Sequence, residues 1–226
     1  MGFEKSTEFS DEIRLLAEKA ASFGIPLSSF QTHLFQEYML ELWEWNKRFN
    51  LTGLNSHERV VSELFLDSMI PAPFLPEKGM LLDAGSGAGF PGVPLKILCP
   101  QVETRLLESN AKKTTFLKHI IRSLQLKGIQ VIQGRIEAPG GWADGEKFQV
   151  ITARALGDLR QIILWCAPLL STGGFLVTFL GADGERDVKR NRDSLLCQGL
   201  GVDKHLPYVL PGKQSMRHTF ILKKER

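Results

Sequence analysis

The chain has 226 residues, of which 43% are hydrophobic and 23% charged, and its formal net charge at pH 7 is +3. This composition supplies a sizeable apolar core and excludes a wholly disordered chain, and the length fits one domain with or without an extension. No uncharged apolar run reaches the roughly 18 residues of a membrane span, and the first residues lack the apolar segment of a secretory signal. We expect a cytoplasmic protein without a membrane partner, whose slight basic excess is compatible with nucleic acid but does not require it.

The three cysteines stand far apart and form no C-x-x-C pair: Cys99, Cys166 and Cys197. This spacing argues against a disulfide framework and against a cysteine zinc site. The sequence therefore predicts reduced structural thiols and no metal site.

The first third of the sequence predicts helices. Ser10 is placed to cap a first helix that ends near Gly24, and Ser28 with Gln31 has the spacing of a capping box for a second, longer helix. Residues at helical spacing along that second helix indicate core packing: Leu34, Tyr38, Leu42, Trp45 and Phe49. A third helix is predicted from about Ser56 to the prolines that follow residue 70. The proline-rich stretch 71–79 is the best boundary candidate, which gives a helical extension over 1–75 and a second region over 76–226.

Beyond that boundary, short apolar runs alternate with helical segments. Such alternation predicts right-handed βαβ crossovers and a mainly parallel sheet. A charged helix is predicted near Asp187 to Leu196, before two final β-like runs, GVDKHLPYVL and SMRHTFILKK. Since no helix separates these two runs, we expect them to pair antiparallel at one edge. The predicted fold class is α/β and Rossmann-like, with a mainly parallel seven-stranded sheet, an antiparallel edge hairpin and an N-terminal helical extension.

The most informative stretch is LLDAGSGAGFPG, residues 81–92. An apolar strand leads into a glycine-dense turn, and glycines bring backbone N–H groups close to a ligand. The dinucleotide fingerprint G-x-G-x-x-G would need glycine at position 90, where this chain has Phe90. The pattern found here suits a nucleoside without a pyrophosphate, so Gly85 and Gly87 are candidate cofactor residues. A tight turn without a ligand is the alternative.

Two further positions fit a nucleoside ligand. Glu108 ends the second strand of the sheet region, where a carboxylate can accept both ribose hydroxyls. Ile136 and Glu137 follow the third strand, where the adenine ring would lie. A solvated carboxylate and a surface loop are the respective alternatives.

Four segments together resemble the RsmG (GidB) family of bacterial 16S ribosomal RNA methyltransferases. They are LLDAGSGAGFPGVPLKI, LLESNAKKTTFLKH, the pair Arg154-Ala155 in ITARAL, and the upstream WNKRFNLTGLN. The GFPG extension and the upstream motif are the specific part, and the resemblance runs from about Trp43 to Thr219. It implies a class I methyltransferase domain over 76–226 that uses S-adenosyl-L-methionine. It further implies methyl transfer to N7 of guanosine 527 in 16S rRNA, free or within the 30S subunit, by an expected monomer.

The resemblance also implies roles for individual residues. At the cofactor it places Gly85, Phe90, Ile136, Glu137 and Arg154. We interpret Arg154 as a clamp on the cofactor carboxylate, and the alternative for this residue is an ion pair at the sheet edge. At the substrate RNA it places Asn46, Lys47, Asn50, Thr52, Asp67, Ser68 and Arg217. Two positions depart from the family pattern, because Leu64 replaces a frequent histidine and Leu180 a frequent lysine. An RNA contact that the family makes at either position is therefore lost in this chain or made by a neighbouring residue.

The implied reaction needs no general base, since guanine N7 carries a lone pair and no proton at neutral pH; no acid–base catalytic residue is therefore expected. Other functions stay open: methylation of another RNA or of a small molecule, or a non-catalytic RNA-binding assembly factor on the same scaffold. A nicotinamide-dependent oxidoreductase is disfavoured by Phe90. Binding of S-adenosylhomocysteine would separate a methyltransferase from an oxidoreductase.

Overall fold

The computed structural model describes residues 9–138, 143 and 145–225. The ends of the two predicted regions, residues 1–8 and 226, and the positions 139–142 and 144 lie outside the described residues. Within the described part, no helix is both long and apolar enough to span a membrane.

A seven-stranded sheet has the strand order β3-β2-β1-β4-β5-β7-β6. Its strands are β1 (Gly79–Ala84), β2 (Val102–Glu108), β3 (Ile129–Gln133), β4 (Phe148–Arg154), β5 (Leu170–Leu180), β6 (Leu200–Val209) and β7 (Met216–Lys224). The first five strands pair in parallel, and β7 pairs antiparallel with both β5 and β6. The predicted parallel sheet with an antiparallel edge hairpin is confirmed.

Nine α-helical segments are described. They are α1 (Ser10–Ser22), α2 (Ser29–Phe49), α3 (His57–Arg59), α4 (Asp67–Met69), α5 (Gly92–Leu98), α6 (Ala111–Ser123), α7 (Leu159–Cys166), α8 (Gly184–Arg190) and α9 (Arg192–Cys197). A π-helical stretch, Val60–Leu66, joins α3 to α4 without a break. The third helix expected from about Ser56 is therefore present, but its middle is wound more widely than an α-helix.

Three local predictions have different outcomes. The capping box of α2 is confirmed, because the Ser28 side chain accepts from the Gln31 backbone N–H and the Gln31 side chain from the Ser28 backbone N–H. Ser10 is not a cap: it is the first residue of α1, whose N-cap is Phe9, with no side-chain cap bond. The single charged helix expected near Asp187 to Leu196 was wrong, since the chain breaks at Asn191 into α8 and α9.

The helical extension and one face of the sheet region share a hydrophobic core. Its buried members include Leu16 of α1, Phe35 of α2 and Phe65 of the π-helical stretch. They pack in one cluster with Val93 of α5 and Phe116 of α6. The division at about residue 75 stays a prediction, and α2 lies directly against the sheet region's helices.

Candidate functional site

A cleft of about 470 Å³ opens where the parallel strands end. Residues at or just beyond the carboxyl ends of β1, β2, β3 and β4 line it: Gly85, Ser86, Gly87, Ala88, Phe90, Glu108, Ser109, Gly134, Arg135, Ile136, Glu137, Arg154, Ala155 and Leu156. The chain leaves β1 in one direction toward β2 and returns on the other side through β4. Ligands of open α/β sheets bind at such a switch in strand order.

The glycine loop after β1 is held in a conformation that requires glycine. Gly85 and Gly87 have φ of 74° and 58°. A Cβ on Gly85 would come within 2.7 Å of the Leu156 side chain, whereas one on Gly87 would meet only a backbone oxygen at 4.0 Å. Gly87 lines the cleft, and because it has no side chain, a ligand can approach its backbone there.

Helix α2 packs against this loop through Tyr38. The Tyr38 hydroxyl donates a hydrogen bond of 2.5 Å to the carbonyl oxygen of Ala88. The Tyr38 ring stacks on Phe90, with centroids 5.2 Å apart and planes within 11°. Phe90 is only 7% exposed, so its contribution to the cleft is an edge of a buried aromatic cluster. Of the stripe interpreted as core packing, Leu34, Tyr38 and Leu42 are buried and Trp45 is half-buried, whereas Phe49 at the end of α2 is 43% exposed, so the prediction was wrong for Phe49. Tyr38 adds a polar contact that the sequence did not reveal.

Asp83 fixes the loop from the strand side. Its carboxylate is fully buried and accepts hydrogen bonds from the Thr152 hydroxyl at 2.8 Å and from the Gly92 N–H at 3.0 Å. Burial raises the pKa of Asp83 to about 6, against the opposing effect of the Thr152 hydrogen bond. The start of α5 is thereby tied to the ends of β1 and β4.

Glu108 lies where the sequence predicts a ribose acceptor. Its side chain is 8% exposed and lines the cleft. One carboxylate oxygen accepts from the Gly87 N–H at 2.9 Å, and the other accepts from the Asn110 N–H at 2.7 Å. A carboxylate oxygen can accept more than one hydrogen bond, so these two contacts orient Glu108 and leave acceptor capacity for a ligand.

The two residues assigned to the adenine side differ in character. Ile136 is 3% exposed and forms an apolar part of the cleft wall. Glu137 is exposed, and its carboxylate accepts from Arg135 at 3.2 Å. Ile136 is therefore placed to contact a base face, while Glu137 lies at the rim.

Asp67 is the centre of a buried polar network beside the cleft. This carboxylate is fully buried and accepts from the Tyr208 hydroxyl at 2.6 Å. Arg217 of β7 approaches both carboxylate oxygens, with contacts of 2.9 and 3.0 Å. Arg154 of β4 lies 3.4 Å from the same group. The structure thus joins Asp67 and Arg217, both assigned to RNA, with Arg154, assigned to the cofactor.

Arg154 is directed toward the helical extension. Its other two nitrogens contact the Ser68 hydroxyl at 3.4 Å and the backbone carbonyl of Glu63 in the π-helical stretch. Burial lowers the pKa of its guanidinium, and Asp67 opposes that effect. Arg154 lines the cleft, but each of its nitrogens already has a protein partner. Any cofactor clamp has to use its remaining N–H groups.

The upstream motif WNKRFNLT reaches the same cleft through its last two residues, Leu51 and Thr52. Asn46 accepts from the Thr52 N–H at 3.0 Å and donates to the Leu54 carbonyl at 3.0 Å, so its side chain holds the loop after α2. Thr52 lines the cleft, and Asn50 ends α2 with a left-handed φ of 46°. Lys47 is exposed and paired with Glu44 at 2.6 Å. A neighbouring cavity of about 460 Å³ is lined by Asn46, Lys47 and Asn50.

Some residues of the site were not predicted from the sequence. They are Leu51, Leu156 and Trp165, which line the cleft, and Tyr38 and Asp83, which hold the glycine loop. Among them Asp83 alone had a signal, the acidic residue that precedes the glycines. Leu64, which replaces a frequent family histidine, lines the cleft. Leu180 ends β5 in register with His218 and is not among the described lining residues.

The residues present fit a nucleoside-type methyl donor. The cleft combines open space at Gly87, a buried carboxylate acceptor at Glu108 and an apolar wall at Ile136. These are the three features that a ribose and a purine ring require, and no dinucleotide fingerprint competes with them.

Comparisons with known proteins agree with this assignment. The profile of the family described as rRNA small subunit methyltransferase G matches residues 31–216. Ribosomal RNA small subunit methyltransferase G of Chloroflexus aggregans is 38% identical over 212 residues, which cover 93% of this chain and 89% of the relative.

Solved structures show the same fold at low identity. A methyltransferase from Pyrococcus furiosus has a TM-score of 0.59 at 15% identity, covering 84% of this chain and 97% of that one. TYW2 of M. jannaschii in complex with AdoMet has a TM-score of 0.58 at 12% identity, covering 75% of this chain and 76% of that one. The solved structures share the fold, and the family profile and the sequence relative show that the chain belongs to the rRNA small subunit methyltransferase G family.

Proposed function

We propose that this protein methylates N7 of guanosine 527 in bacterial 16S ribosomal RNA. The observation that carries the proposal is the shared cleft. The glycine loop forms one wall, and Leu51 and Thr52 of the upstream WNKRFNLT motif, which the general methyltransferase pattern does not contain, line the same cleft. A small-molecule methyltransferase would need the first wall only.

On the cofactor side, the Glu108 carboxylate accepts hydrogen bonds from the ribose hydroxyls, and Ile136 contacts the adenine ring. Glu137 lies at the rim beside them, and the backbone at Gly85 and Gly87 approaches the ligand closely. Arg154 binds the cofactor carboxylate while Asp67 holds its guanidinium in place. When bound, S-adenosylmethionine supplies a methyl group on a sulfonium, which is a good leaving group.

On the RNA side, the end of α2 and the start of α6 both carry cations near the cleft. Thr52, just beyond α2, and Lys113 of α6 line the same cleft. The exposed Lys47, Arg48 and Lys112 and the half-buried Lys113 form the basic rim. Such a group suits phosphate contacts, which position RNA without reading its sequence.

The other RNA-side residues act at different depths. Asn50 and Thr52 lie on the loop that faces the cleft, and Asn46 shapes that loop. Asp67 is fully buried, so its proposed role is to position Arg217, which is 27% exposed at its side chain. Ser68 is also fully buried and contacts Arg154 instead, so its proposed role is to position that arginine.

The chemistry requires orientation more than proton transfer. No histidine is among the described residues that line the cleft. Holding N7 in line with the transferable methyl group can supply on the order of 7–11 kcal/mol of the barrier. If no base is needed, the single-turnover rate with RNA and cofactor saturating should stay nearly flat from about pH 6 to 9. A tenfold rise per pH unit would indicate an essential base, and hence a target atom that loses a proton.

The deciding experiment is transfer of a tritiated methyl group to 16S rRNA, both free and within 30S particles, followed by mapping of the modified base. We expect label at N7 of guanosine 527. Label at another base would contradict the site, and cofactor binding without transfer to either substrate would favour a non-catalytic assembly role. Light scattering of the same preparation tests the proposed monomer.

A further inference from the structure

A second group of polar side chains lies on the edge hairpin. His205 of β6 and His218 of β7 are hydrogen bonded through ring nitrogens 2.8 Å apart. Glu185 of α8 completes the group, and one ligand atom from each of the three residues lies within 4.8 Å of the others. None of the three lines the cofactor cleft.

Packing holds both imidazoles in place. The His205 ring stacks on Phe220, with centroids 4.3 Å apart and planes within 3°. His218 is 5% exposed. Helix α8 begins very close to it, because a Cβ on Gly184 would lie 2.9 Å from the His218 Cβ. This close approach brings the carboxylate of the next residue, Glu185, within 4.8 Å of the imidazole nitrogens.

Two imidazole nitrogens and one carboxylate form a ligand set for late first-row divalent metals. Zinc, cobalt and nickel favour such mixed nitrogen and oxygen donors, whereas magnesium and calcium favour oxygen alone. Metal binding needs neutral imidazoles.

We propose that Glu185, His205 and His218 bind one divalent transition-metal ion of the zinc class. Binding replaces the hydrogen bond between the two rings, and the imidazole proton of that bond moves to the other nitrogen of its own ring. The ion joins α8, β6 and β7, and a fourth coordination position stays open to water.

The surroundings set a limit on affinity. Arg186 and Lys189 line the same shallow cavity and repel a cation, although Arg186 is paired with Asp183 at 2.9 Å. We therefore expect a dissociation constant in the micromolar range. The cofactor site is separate, because His218 and its neighbour Arg217, which contacts Asp67, point to opposite faces of β7.

The sequence alone predicted no metal site, because its three cysteines stand far apart and form no C-x-x-C pair. His205 and His218 are 13 residues apart, and only the antiparallel pairing of β6 with β7 brings them together. Glu185 lies on a different element altogether.

The test uses the full chain after treatment with a chelator. Cys197→Ser serves as the common background, because Cys197 is an exposed thiol that could bind metal itself. Zinc binding is followed by calorimetry, and cobalt binding by visible absorption, which is intense for tetrahedral cobalt. We expect one ion per chain and at least a tenfold weaker affinity in Glu185→Gln and in His205→Gln. His119→Gln is the matched control, since His119 also contacts a carboxylate, Glu41, but has no second histidine partner.

Three results would overturn the proposal: no binding by the parent chain, unchanged affinity in Glu185→Gln, or an equal loss in His119→Gln. If His205→Gln does not fold, Glu185→Gln decides alone, because Glu185 is exposed and its exchange leaves the core intact.

Discussion

Replacing Glu108 with glutamine tests the ribose acceptor with the smallest change in shape. The carboxylate accepts from two backbone N–H groups, those of Gly87 at 2.9 Å and Asn110 at 2.7 Å. Glutamine keeps one oxygen acceptor and turns the other into a donor. One backbone N–H then loses its acceptor, and the remaining contacts lose the negative charge.

The expected magnitudes follow from these contacts. A buried N–H left without an acceptor costs about 1–3 kcal/mol, so the free energy of unfolding should fall by that amount. A hydrogen bond to a charged acceptor exceeds a neutral one by about 1–2 kcal/mol. Losing that difference at the ribose should raise the dissociation constant of the cofactor roughly 5- to 30-fold.

The assay is calorimetric titration with S-adenosylhomocysteine, together with urea unfolding of the same preparations. Glu103→Gln is the matched control, because Glu103 lies on the same strand at the end away from the cleft and its side chain is 59% exposed. Unchanged affinity in Glu108→Gln would remove Glu108 from the cofactor site. An equal loss in Glu103→Gln would assign the effect to general charge instead.

Three further predictions concern other parts of the site. Arg154→Ala should chiefly weaken cofactor binding, measured by calorimetry, and Arg217→Ala should chiefly lower RNA methylation, measured by methyl transfer. Because both arginines contact one carboxylate, the effects in the double variant should not be the sum of the two single effects. Additive effects in both assays would contradict the shared network. Burial raises the pKa of Asp83 from an ordinary 3.8 to about 6, so the folded state binds this proton more tightly than the unfolded state does. The contribution of Asp83 to the free energy of unfolding therefore falls as pH rises from about 4 to above 6. Between pH 5 and 7 the fall is about 1 kcal/mol, and urea unfolding should show it in the parent chain but not in Asp83→Asn; parallel curves would refute it. Phe49, 43% exposed beside the basic rim, should stack on an RNA base, so Phe49→Ala should weaken RNA binding by about 1–3 kcal/mol in a filter-binding assay, while Phe30→Ala at the far end of α2, 68% exposed, should not.

The parts of the site that were predictable depend on neighbouring residues in sequence. The glycine loop follows its strand directly, and Glu108 ends the next strand, so strand alternation was enough to place both at one cleft. The Ser28–Gln31 capping box was equally local. Ser10 shows the limit of such reasoning, because a residue suited to capping became the first residue of its helix instead.

The unpredicted parts depend on contacts between distant segments. Asp67 and Arg217 are 150 positions apart, and Tyr208 and Asp67 are 141 apart. Nothing in the local pattern of Arg154 shows that its guanidinium shares Asp67 with Arg217. The break at Asn191 and the π-helical stretch were also invisible, because each alters helical winding without changing the apolar spacing enough to reveal it.

Through Tyr38, helix α2 connects the RNA-binding rim with the loop that binds the cofactor. The same rigid helix ends at the basic rim and carries, three turns earlier, the hydroxyl that holds the glycine loop. RNA that shifts the rim therefore acts on the cofactor loop, and a cofactor that fixes the loop acts on the rim. Thermodynamic linkage requires the two effects to be equal. If bound RNA changes the affinity for the cofactor by some factor, bound cofactor changes the affinity for RNA by the same factor. We expect the two ligands to bind cooperatively, and Tyr38→Phe to diminish that cooperativity in both directions by the same factor.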